Sequence, residues 1–132
     1  MKPTRPRRRK KVTTVTEQDP RGSRIVAIAD SHLAAATAQR LATISARWAK
    51  QAGAGEDDAL EVVAAAQRAR EAASHAEDTE TTDDAWAAAR LAWAAVTSAR
   101  EADERVKAAI AQALSEIGNP LARARRESRK AA

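Results

Sequence analysis

Apolar positions recur every three or four residues through most of the chain, which is the period of a helix. The first run places Val26, Ala29, Leu33, Thr37, Leu41, Ile44 and Trp48 on one stripe, predicting a helix over about 23–51 that turns this stripe to a core. Asp19 and Pro20 form a start signal ahead of it, with Ser23 as an alternative, and Gly53-Ala54-Gly55 breaks it. A second helix is predicted over about 56–77. Glu56, Asp57 and Asp58 suit the positive end of its dipole, and its stripe (Ala59, Val62 or Val63, Ala66, Ala69, Ala73, Ala76) is mostly alanine. After a short polar connection, Thr81 or Thr82 caps a third helix over about 83–117. There Ala89, Ala92, Val96, Ala99, Asp103, Val106, Ile110, Ala113 and Ile117 alternate at spacings of three and four, a coiled-coil seam. Gly118-Asn119-Pro120 reads as its stop, with Gly118 as the left-handed cap.

Short connections between three helices require antiparallel neighbours, so the expected fold is all-α: an antiparallel three-helix bundle or coiled coil with disordered basic termini. Residues 1–18 form the basic arm, 19–118 the bundle, and 119–132 a basic tail or short helix. The β-branched stretch at 12–16 is too short and isolated to build a sheet. Composition sharpens this picture. The chain has 36 alanines but only 18 Leu, Ile and Val together, so its helices form readily while each buries little area. A β-sandwich, a large α/β enzyme and a membrane-spanning protein are excluded. In so thin a core, Trp48, Trp86 and Trp93 are expected as filling.

Charge divides the chain into three parts. Residues 1–24 hold nine Lys and Arg against Glu17 and Asp19, and 119–132 hold five against Glu127. Residues 25–118 hold nine basic and fifteen acidic side chains, so two basic ends flank an acidic body. Polyanion contact is therefore expected at the ends: Arg5, Arg7, Arg8, Arg9, Lys10 and Lys11 in the arm, and Arg123, Arg125, Arg126, Arg129 and Lys130 in the tail. Neither end carries an aromatic side chain on which a base could stack, so the expected contact is with phosphates and indifferent to sequence. The absence of cysteine excludes a disulfide framework and thiolate metal sites. The bias towards Ala and Arg suggests a bacterial, cytoplasmic protein.

Other constellations are weaker. A helix-turn-helix over 111–130 would leave its second helix with Leu121 as its one large apolar anchor, too little to hold a recognition helix. Asp103 in the seam is expected to bend towards solvent and pair with Lys107, the alternative being a register-fixing polar contact. Glu71, His75 and Asp78 share a helix face as an exposed ion cluster, and a metal or other cofactor is not expected. No nucleophile–base pair or phosphate-binding glycine loop is present, so no enzyme activity is expected. The third helix, roughly 50 Å long against about 33 Å for the second, should overhang the bundle. Its Val106, Ile110, Leu114 and Ile117 would then meet a second copy, giving a homodimer. The sequence thus points to a non-catalytic nucleic-acid-binding protein, or alternatively to an adaptor whose third-helix seam takes a helical protein partner.

Overall fold

The computed structural model describes residues 20–118 and 120–131, so the arm at 1–18 with its six basic candidates lies outside the described residues. Four helices follow one another: α1 (Pro20–Ala52), α2 (Glu56–Asp78), α3 (Thr82–Gly118) and α4 (Pro120–Ala131). The first three pack against each other in an antiparallel three-helix bundle. Their bounds agree with the expected ones to within three residues.

Local chemistry sets the joints. Gly53 and Gly55 have φ of 64° and 76°, a left-handed conformation that costs a side-chain-bearing residue dearly, so the α1–α2 turn needs glycine at both places. Thr81 caps α3, its Oγ1 accepting from the backbone N–H of Asp84 at 3.1 Å. Arg24, one turn into α1, reaches across to the end of α2, its Nε donating to the Thr79 carbonyl at 2.6 Å and its second terminal nitrogen to the Glu77 carbonyl at 2.9 Å. These are carbonyls that a helix end leaves without an intrahelical partner. Gly118 departs from its expected role. Among the described residues only Gly53 and Gly55 have positive φ, and Gly118 stays inside α3. The chain then resumes as α4 at Pro120, a residue whose fixed φ suits the first turn of a helix. The C-terminal segment is therefore helical rather than a disordered tail.

The core is built from methyl groups. Its larger apolar side chains are Val62, Val96 and Val106; the rest are alanines. Alanine surfaces let helix axes approach to the short end of the usual range, about 8 Å, and that close approach decides what each helix can bury. α2 and α3 turn in the expected faces as far as Val106. α1 does not. It buries Ala27, Ser31, Ala34, Ala38, Ala42, Ser45 and Ala49, while Val26, Leu33, Ile44 and Trp48 stay between 41% and 58% exposed. The expected α1 stripe is thus corrected. Facing two alanine seams, α1 turns in its small-residue stripe, and of the larger one only Leu41 packs against the core, half-buried at its edge. The tryptophans are corrected with it: Trp48 is on the surface, and Trp86 and Trp93 are half-buried. Trp93 lies against the core edge, its indole N–H donating to Asp30 Oδ2 at 2.8 Å.

Candidate nucleic-acid interface

α4 is the part of the expected interface that lies within the described residues. Among those residues it packs only against α3, and Arg125, Arg129 and Lys130 are exposed on it. Positions 123 and 126 belong to the same helix, whose single acidic residue is Glu127. α3 ends at Gly118 and α4 begins at Pro120, so the basic helix follows the far end of α3.

The body beneath is electrically uneven in a way that its summed charge hides. α1 carries Arg21, Arg24, Arg40, Arg47 and Lys50 against Asp30 alone. α2 carries seven carboxylates against Arg68 and Arg70. The acidic body is thus chiefly α2, and α1 is a basic element that a chain-wide tally places on the wrong side of the balance. Some of α2's charge is met by the neighbouring helices. Arg105 Nε of α3 donates to Asp58 Oδ1 at 3.0 Å, and its guanidinium also reaches Glu61; the bond to Asp58 is the main reason the guanidinium is held above its ordinary pKa. His32 of α1 meets Glu77 of α2. These pairs are solvent-exposed and steer the helices' register more than they hold the fold.

Asp103 combines its two expected roles. Its carboxylate pairs with Lys107 Nζ at 3.2 Å, as the i,i+4 spacing suggested. Yet it is buried in the seam, and it accepts a hydrogen bond from Ser45 Oγ of α1. That bond ties α1 to α3 at one register. The Lys107 ammonium is raised above its ordinary value, first by its bond to Asp103 and then by Glu104.

The four residues expected to meet a second copy do not act as one stripe. Val106 is buried in the bundle core, and Ile110 is half-buried against it. The α1–α2 turn covers this level, since a side-chain carbon at Gly55 would lie 3.2 Å from Val106 Cα. Leu114 and Ile117, at 59% and 67% exposure, form the bare overhang. It is one turn shorter than the helix lengths alone suggested, because the turn caps α3 as far as Ala109. The seam available to a helical partner shrinks accordingly to these last turns. Among the described residues, Glu71, His75 and Asp78 do not converge into a group able to hold a metal, and no helix is long and apolar enough to cross a membrane. No family model matches the chain, and no curated protein or solved structure matches it either.

Proposed function

We propose that this is a non-catalytic nucleic-acid-binding protein, largely indifferent to sequence, in which the basic ends neutralise phosphates and the three-helix bundle spaces or assembles them. The observation that carries the reading is α4: a helix set off from the bundle, exposing Arg125, Arg129 and Lys130 with Glu127 as its one acid. A row of cations on a helix can follow a phosphate backbone without reading bases, and each neutralised phosphate releases counterions. The six basic residues of the arm would act in the same way. The Ala- and Arg-rich composition supports a bacterial, cytoplasmic setting.

A mobility-shift series with mixed-sequence duplex DNA and single-stranded RNA tests it. Affinity should fall about 10³-fold between 50 and 200 mM salt if six or more phosphates are contacted. Deleting residues 1–11, or changing Arg125, Arg129 and Lys130 to Ala, should each flatten that slope. No retention at 50 mM salt would sink the reading.

A second reading, a helical interaction protein, is favoured by Leu114 and Ile117, two large aliphatics left in water. It predicts capture of a protein partner that survives high salt and is lost with Leu114→Asp.

A further inference from the structure

The exposed stripe of α1 has a counterpart on the same molecule. Val26, Leu33, Ile44 and Trp48 are spaced so that they line one side of α1, and each is between two-fifths and three-fifths exposed. Together they form an apolar patch of the size class, about 300–600 Å², that on a monomer is often functional. Across α1, on the α2 side, lies a groove of about 400 Å³. Ala49 and Ala59 form its buried floor, and Leu60 and Val63, 66% and 42% exposed, stand along it.

Charge and geometry say what these two surfaces fit. From residue 33 to residue 50, α1 has no carboxylate, and Arg40 and Arg47 lie on its exposed side. Two α1 stripes facing one another would bring these arginines together with no α1 carboxylate between residues 33 and 50 to offset them. The groove is lined by Lys50 on its α1 side and Glu56 on its α2 side, and Asp57 and Asp58 follow Glu56 in the first turn of α2, so the α2 side offers the opposite charge. Leu60 and Val63 give the groove apolar walls, and tryptophan is the side chain most often found as a buried anchor at interfaces.

Knob and groove cannot both face the same partner. Ala46 lines the groove and is two residues from Trp48, so the two side chains leave the helix roughly 160° apart. A two-fold dimer using both is therefore excluded, and the contact must run from one side of a copy to the other side of the next.

We propose that copies of this chain associate side to side, the Trp48 stripe of one seating in the α1–α2 groove of the next, with Arg40 and Arg47 against the acidic start of α2. The stripe alone supplies less than the roughly 800 Å² per partner of a standard interface, so the association is weak and salt-sensitive.

The test uses two variants, each spoiling one surface: Trp48→Asp for the knob and Leu60→Arg for the groove. Both sites are exposed, and circular dichroism checks that helicity is unchanged. In sedimentation velocity at tens of micromolar, wild type should show a mass that rises with concentration and falls in high salt. Each variant alone should associate at least roughly thirtyfold more weakly. Mixed in equal amounts they should pair again and stop at two copies, because one intact knob meets one intact groove. Wild type that stays monomeric would overturn the proposal. So would variants that associate like wild type, or a mixture that fails to pair. Loss of association in Leu114→Asp but not in Trp48→Asp would transfer the contact to the α3 overhang and overturn it as well.

Discussion

Adding one methyl group at each of two neighbouring glycines separates backbone strain from helix proximity. Gly53 and Gly55 share left-handed φ values, 64° and 76°, so alanine pays the same conformational penalty at both, about 1–2 kcal/mol. Part of that is offset by the lower entropy of the unfolded chain, about 0.4–1 kcal/mol for Gly→Ala. Gly53→Ala should then cost on the order of 1 kcal/mol, since nothing lies within 4 Å of the added carbon. At Gly55 the carbon would sit 3.2 Å from both Cα and O of Val106 and 3.3 Å from Ala109 Cβ. Two of those atoms are the backbone of α3, which can yield only by moving the helix. Overpacking of this kind adds about 1–3 kcal/mol. Gly55→Ala should therefore cost roughly 2–4 kcal/mol, a large part of the stability of a small domain. Urea unfolding followed by circular dichroism at 25 °C measures both, with an unchanged slope showing that the same surface unfolds. Equal costs for the two variants would refute the close approach of the turn to α3.

Three further outcomes follow from burial and pairing. Val96→Ala should cost about 2 kcal/mol and Ile44→Ala less than about 1 kcal/mol, reversing what side-chain size alone suggests; equal losses in urea unfolding would mean that the α1 stripe is covered. Asp103→Ala leaves the Ser45 hydroxyl buried without its acceptor and should cost about 1–3 kcal/mol, while adding Ser45→Ala to it should recover part of the loss; a double variant as weak as the single one would show that the bond does more than satisfy itself. The Lys107 pKa is raised in the fold, chiefly by Asp103, so its stabilising contribution is complete below the ordinary lysine value and is lost as pH rises through the raised one. Lys107→Met should therefore flatten the alkaline limb of a stability–pH curve above pH 10.5.

The helices and their joints were legible because glycine, threonine and proline act locally: the breaks at Gly53 and Gly55 and the cap at Thr81 need no tertiary context. The faces of α2 and α3 were legible because each has one stripe at helical spacing. α1 has two. Val26 to Trp48 and Ala27 to Ala49 both repeat every three or four residues, and a hydrophobicity ranking prefers the larger one. The deciding signal lay in the other helices. Their seams are alanine, so a third helix can join them only with a face equally small, and Ala27, Ser31, Ala34, Ala38, Ala42, Ser45 and Ala49 is that face. The basic ends were legible as charge, but with Leu121 as its one large apolar residue the C-terminal segment fits a tail or a short helix equally well in sequence, and the helix over 120–131 is seen only in the structure. The division of the body into a basic α1 and an acidic α2 was hidden by summing charge over residues 25–118.

A core made of alanine also occupies a particular place in the genetic code. One base change in an alanine codon gives Gly, Val, Ser, Thr, Pro, Asp or Glu and nothing else. Among the described residues, the buried side chains that are not alanine are Val62, Val96, Val106, Ser31, Ser45, Thr79 and Asp103, all drawn from that short set. Proline would break a helix, glycine would loosen it, and glutamate would bring a longer charged chain into the same narrow space. Leucine, isoleucine and phenylalanine, the residues that would force the helices apart, lie at least two base changes away. One-step changes therefore offer the interior no apolar side chain larger than valine, and the spacing of the three helices is protected by codon distance as well as by packing.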